Sequence, residues 1–186
     1  PIWLLILRIA LLFTPSITVT EAFVDPAWRL AAKTPIIIAD LAIGLLLYHA
    51  VPGSKSRKLL FSALWLLHPT AWYESAIFGQ FDSIATAFML GSVIMFMKKK
   101  DIPAFILAGL AIMTKQHTAI PILFMIIAAS RDMNRRRLLT GIAVTGSVMA
   151  LISIPFLLTG NFLEYARSLV LAPSAPGYQS PLVFAF

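Results

Sequence analysis

Apolar runs alternate with two kinds of polar turn along this chain of 186 residues. Ile2–Phe13 is a short apolar run, marked by Arg8 and broken at Thr14-Pro15. A polar connection, Asp25–Pro35, follows, with Trp28 placed as an interfacial anchor. Six further runs predict spans at Ile36–Val51, Leu59–Tyr73, Ile84–Met97, Ile102–Met113, Thr118–Ala129 and Leu138–Leu158. Asn161–Leu171 reads as an interfacial helix ahead of a Pro/Gly/Ser-rich loop, Ala172–Pro181. The pattern predicts an all-α, polytopic transmembrane bundle forming part of one domain over residues 1–186. Residues 1–24 form an interfacial or short membrane helix, 36–158 about six spans, and 159–186 an outer helix and loop.

The spans are too short. Four consecutive ones hold only about 12 to 15 apolar residues, whereas a bilayer crossing needs about 20. Backbone turns at membrane depth are tolerated where they are buried in protein or line a water-filled cavity. The turns Glu74–Ser83 and Thr114–His117 are therefore expected to dip inward and frame a vestibule between short, broken helices. The competing arrangement is one tilted helix from Pro103 to Ala129, with Lys115 at the bilayer centre.

Charge assigns the two faces. Three turns (Lys55/Arg57/Lys58, Lys98/Lys99/Lys100 and Arg131/Arg135/Arg136/Arg137) hold ten of the 15 Lys+Arg, accompanied only by Asp101 and Asp132. The rest of the chain is nearly neutral, so the net charge of +7 sits in these loops. Short basic loops are retained on the cytoplasmic side, which turns the alternate, chemistry-bearing turns toward the extracytoplasmic side. A mean hydropathy of +0.87 with 12% charged residues excludes an ordinary soluble domain. Anionic lipid headgroups explain the basic turns better than nucleic acid does. Without cysteine, neither disulfides nor thiol chemistry enters. The chain starts at Pro1 and ends at Phe186 without a polar tail, so it reads as an internal fragment of an integral, multi-pass membrane protein.

The densest polar segment is Glu74–Asp82, where Gln80 and Asp82 can accept hydrogen bonds from hydroxyl groups. Asp82 also suits a helix N-cap before Ser83, and a carboxylate at membrane depth is a functional candidate by default. Lys115-Gln116-His117 places a cation at the inner end of a short helix, which suits phosphate on a hydrophobic-tailed ligand. The alternative for Lys115 is a structural ion pair with Asp40 or Asp82. His117 offers a base or donor, although a lone His more often serves packing. Lys33 precedes Asp40 by two helical turns on one face, so Asp40 pairs with Lys33 or Lys115, and both give electrostatic support. Arg167 reaches phosphate or snorkels to the interface. No His/carboxylate set has metal-ligand spacing, and no nucleophilic-serine or phosphate-loop motif occurs. Intramembrane charge and broken helices also fit a membrane transporter or a flippase for lipid-linked sugars.

The stretch Trp28–Leu41, then His68-Pro69 leading to Phe78-Gly79-Gln80-Phe81-Asp82-Ser83, then Thr114-Lys115-Gln116-His117, resembles a known family in order and spacing. It is similar to the GT-C polytopic glycosyltransferases that use polyprenyl-phosphate sugars, in particular prokaryotic relatives of the dolichyl-phosphate-glucose glucosyltransferases of N-glycan assembly. The resemblance implies inverting transfer of one hexose, mannosyl or glucosyl, from a polyprenyl- or dolichyl-phosphate donor to a lipid-linked or other glycan acceptor. It implies no cofactor and no obligatory metal, and a location in the plasma membrane of a prokaryote or the ER membrane of a eukaryote. Lys115 and Arg167 would hold the donor phosphate; Gln80, Asp82, Gln116 and His117 would line the sugar and acceptor site. The family's general base lies in a loop expected upstream of Pro1, leaving Asp82 as the candidate within this chain. Gly79-Gln80-Phe81-Asp82-Ser83 departs from the eukaryotic His-Phe-Gln-Tyr-Asn, and His68 stands where an Asn usually precedes the Pro.

Overall fold

A computed structural model describes residues 2–12, 25–77 and 79–158. The described residues are helical, without a strand: α1 (Ile2–Leu11), α2 (Pro26–Ala50), α3 (Lys55–Leu66), α4 (Pro69–Trp72), α5 (Asp82–Met97), α6 (Asp101–Thr114), α7 (Ala119–Asp132) and α8 (Arg135–Leu158). A π-helical turn, Tyr73–Ile77, extends α4, and a 3₁₀ turn, Gln116–Thr118, separates α6 from α7. The expected outer helix and loop, Asn161–Pro181, lie outside the described residues.

Helix α2 corrects the reading of Asp25–Pro35 as a connection. Asp25 caps the helix, its carboxylate accepting from the amides of Ala27 (2.6 Å) and Trp28 (3.1 Å). Pro26 occupies the first turn, where its missing N–H costs nothing. Pro35 does remove one interior hydrogen bond, yet the helix runs on through it. At 25 residues, or about 37 Å, α2 is long enough to cross a bilayer. With α8 it is one of two helices among the described residues that are long and apolar enough to do so. Helices α5, α6 and α7 hold 16, 14 and 14 residues, only about 21–24 Å.

Side-chain contacts fix the helix directions. Asp40 meets Ser83, and Leu46 lies against Gly91, so α2 and α5 run parallel. Ser92 of α5 donates to the carbonyl of Ala104 (2.8 Å) on antiparallel α6, and its oxygen also lies 3.3 Å from Sδ of Met125 on α7. Thr145 of α8 donates to the carbonyl of Phe105 (2.9 Å), and Val148 lies against Gly109, so α6 and α8 are parallel. A Cβ on Gly141 would stand 2.2 Å from the Phe105 ring; only glycine lets these helices approach so closely. The core has two parts. Trp3, Ile36, Ala39 and Ile84 join α1, α2 and α5, and Phe105, Ala108, Ile122 and Met125 join α6 to α7.

The outside is as greasy as the inside. Leu158 is 82% and Phe124 66% exposed, with Leu30, Ile38, Leu41, Leu45, Leu64 and Leu151 also on the surface. Apolar cover on this scale exceeds what a soluble monomer carries.

Ion pairs gather the turns at two ends. Arg137 pairs with Asp101, and Lys99 with Asp132 (3.9 Å), tying the second basic turn to the third. Parallel α2 and α5 bring the first basic turn to that same end. At the other end, Lys115 pairs with Asp82 and joins the two turns expected to lie together. The break at Lys115 rules out the continuous helix from Pro103 to Ala129.

Candidate functional site

Lys115 ends α6 in extended backbone (φ −150°, ψ 125°). Its amide donates to the carbonyl of Ala111 (3.0 Å), while its own carbonyl accepts from the amide (3.2 Å) and hydroxyl (2.8 Å) of Thr118. With both backbone groups bound, the ammonium group is directed across to Asp82. Both side chains are part-exposed, Lys115 at 31% and Asp82 at 40%. Of the two partners expected for Lys115, the structure selects Asp82.

Asp82 is not an N-cap, as its sequence context suggests. Phe81 holds that position, and Asp82 is the first residue of α5. Its carboxylate nevertheless sits in the first turn, where the helix dipole favours negative charge. Lys115 Nζ stands 5.6 Å above the centre of the Phe81 ring, and Trp3 stacks on Phe81 (centroids 5.0 Å apart, planes 15° apart). The ion pair thus rests on an aromatic pad built from α1 and the start of α5.

Beneath it runs a line of polar groups. The Ser83 hydroxyl donates to Asp40 Oδ1 (2.6 Å), which spends its single proton, so Ser75 must be the donor to Ser83 (2.9 Å). Ser75 and Ser83 are buried. The expected pairing of Asp40 with Lys33 or Lys115 is not formed: Asp40 takes a hydroxyl, and Lys115 goes to Asp82. Lys33 Nζ donates instead to the carbonyl of Ile77 (3.0 Å). It lies beside Gly79, whose φ of +69° makes the sharp turn between the π-helical segment and α5. Two residues of α2 two helical turns apart, Lys33 and Asp40, therefore hold the end of the π-helical turn and the head of α5 separately.

Gln80, Gln116 and His117 are all exposed, on the two turns that the Lys115–Asp82 pair joins. Arg167 lies outside the described residues. No group of three or more His, Cys, Asp or Glu among the described residues is arranged to hold a metal ion. The Ser75–Ser83–Asp40 line and the Trp3–Phe81 stack escaped sequence reasoning. Ser83 beside Asp82 was the one local hint, and its partners lie 8 and 43 residues away.

The arrangement suits a polar, anion-accepting end on an apolar bundle. A family model for glycosyltransferase family 87 matches residues 7–184, nearly the whole chain. The chain belongs to glycosyltransferase family 87. No curated protein and no solved structure matches it. As a family 87 member with two membrane-length apolar helices, it is a membrane glycosyltransferase, which sets the transporter and flippase reading aside.

Proposed function

We propose that this family 87 chain is the working part of a multi-pass, GT-C-type hexosyltransferase that takes mannose or glucose from a polyprenyl-phosphate donor. The observation that carries this reading is the part-exposed Lys115–Asp82 pair, joining two turns at the end away from the basic loops. Basic loops mark the cytoplasmic side, so the paired turns face the extracytoplasmic side and frame a vestibule for a lipid-linked or glycan acceptor. Exposed apolar helix faces beside that end suit a polyprenyl tail as well as bilayer lipid.

In this reading the acceptor hydroxyl oxygen bonds to the sugar's anomeric carbon from the side opposite the phosphate. The bond from that carbon to the phosphate oxygen breaks, and polyprenyl phosphate leaves with the electron pair, inverting the configuration. Lys115, with Arg167, neutralises the departing phosphate. Gln80, Gln116 and His117 supply hydrogen bonds to sugar and acceptor hydroxyls. The acceptor's proton goes to a general base, either a carboxylate upstream of Pro1 or Asp82. Asp40 and Lys33 brace the Tyr73–Phe81 loop and the start of α5. Neither metal nor cofactor has a step in this scheme.

The test is transfer of labelled hexose from polyprenyl-phosphate mannose or glucose in membranes containing the full-length protein. Lys115→Ala is expected to lower transfer by about 100-fold or more while the protein stays folded, as expected for a group that stabilises developing charge. Wild-type transfer rates in folded Lys115→Ala and Asp82→Ala would remove both residues from the site.

A further inference from the structure

We infer that Asp82 is a built-in competitor for the phosphate seat at Lys115, and that its return to Lys115 expels the spent lipid phosphate. The inference rests on the proposed donor class and adds a role for Asp82 that acceptor or sugar contact alone would not give it. Lys115 is paired with a carboxylate in the first turn of α5. An incoming phosphate therefore has to displace Asp82 before it gains the ammonium group. The pair is part-exposed, so the exchange needs no opening of a buried core.

The chemistry of the substrates explains why such a competitor is useful. The donor is a phosphodiester carrying one negative charge. Once the anomeric carbon leaves, the phosphate keeps the bonding electron pair and becomes a monoester, with about −1.5 to −2 charges at pH 7. The product thus binds a lone cation more tightly than the donor does, and would accumulate on Lys115. A tethered carboxylate weakens every anion at Lys115, and it makes the departure of the more highly charged product an exchange of partners. The Ser83–Asp40 hydrogen bond, at the next residue along α5, anchors the helix start so that Asp82 remains in reach throughout.

The test is equilibrium binding of a polyprenyl monophosphate to the full-length protein in detergent, with the uncharged polyprenol of equal length as control. Asp82→Asn is expected to bind the monophosphate about twofold to fivefold more tightly than wild type, since a half-exposed pair is worth at most about a factor of five. Asp82→Glu, which keeps the competing carboxylate, should bind like wild type. Lys115→Gln should weaken binding by about tenfold or more and reduce the preference over polyprenol. Asp82→Ser, as a second neutral variant, is read in place of Asp82→Asn should the latter not fold. Unchanged or weaker binding in the neutral variants, with the wild-type preference for phosphate intact and reduced in Lys115→Gln, would overturn the competitor role and leave the proposed function standing. Equal binding of monophosphate and polyprenol by every variant would overturn the donor class, and the competitor role with it.

Discussion

At the basic end of the bundle, Arg137 pairs with Asp101 and Lys99 with Asp132, stitching two turns together twice. At the opposite end a single pair, Lys115 with Asp82, joins two turns. The chemistry is the same, but the surroundings differ. The second and third basic turns carry seven cations against two carboxylates, so five remain on the surface after both pairs form. At the other end, Lys33 and Lys115 are matched by Asp40 and Asp82, with hydroxyl groups and an aromatic stack filling in below. Surplus charge at one end orients a chain, whereas balanced charge at the other has to be held in a defined geometry. An ion pair that any further anion must break is informative about a ligand, and one amid spare cations is not.

The sharpest way to break this comparison is to ask whether the two ends lie on opposite sides of a membrane. The chain contains no cysteine, so single-cysteine variants in it meet no background from these residues. Gln80→Cys and Gln116→Cys should react with a membrane-impermeant maleimide added outside intact cells. Lys98→Cys and Arg135→Cys should react only after permeabilisation. The contrast is all-or-none, and labelling of all four from one side would dissolve the distinction between the ends.

Much of this arrangement was legible in the sequence. Breaks at Pro52-Gly53, Lys98–Lys100 and Met133-Asn134 coincide with changes from apolar to basic character, and α5 to α8 begin within three residues of the expected spans. Lys115–Asp82 is one of the two pairings the sequence offers for Lys115, because a cation between apolar runs has few places to go. The first half of α2 looks like a loop in the sequence because of Pro35 and the charged residues around it, while the capping by Asp25 depends on backbone geometry. The π-helical turn and the Ser75–Ser83–Asp40 line were hidden for another reason. They depend on contacts between distant residues, Asp40 with Ser83 and Lys33 with Ile77, for which serines and a glycine leave no periodic trace.

That polar line gives the next test. Ser83→Ala removes the donor to Asp40 and the acceptor for Ser75 together, in a buried setting, and should cost about 1–3 kcal/mol of stability. It should also lower hexose transfer, by less than Lys115→Ala does, because the start of α5 loosens while the cation stays. Thermal unfolding in detergent beside the transfer assay reads both. Wild-type values for Ser83→Ala in each would mean that the line merely fills space, and the two ends would then differ in charge alone.

The smallest effect belongs to the basic end. Asp101 is well covered, its side chain 13% exposed, but Arg137 is 55% exposed and spare cations surround the pair. Arg137→Ala exchanges one guanidinium for water and leaves Asp101 in the first turn of α6, where the helix N-terminus favours a carboxylate. The loss should stay within about 1 kcal/mol, the usual range for a solvent-screened pair. Transfer should remain near the wild-type rate, because no residue of the candidate site touches this end. The measurement pairs Arg137→Ala with Lys115→Ala in the same membranes. A deep loss of transfer in a folded Arg137→Ala would show that the two ends are coupled through the parallel helices α6 and α8, whose interface at Phe105, Gly141 and Thr145 begins one turn inside the ion pair.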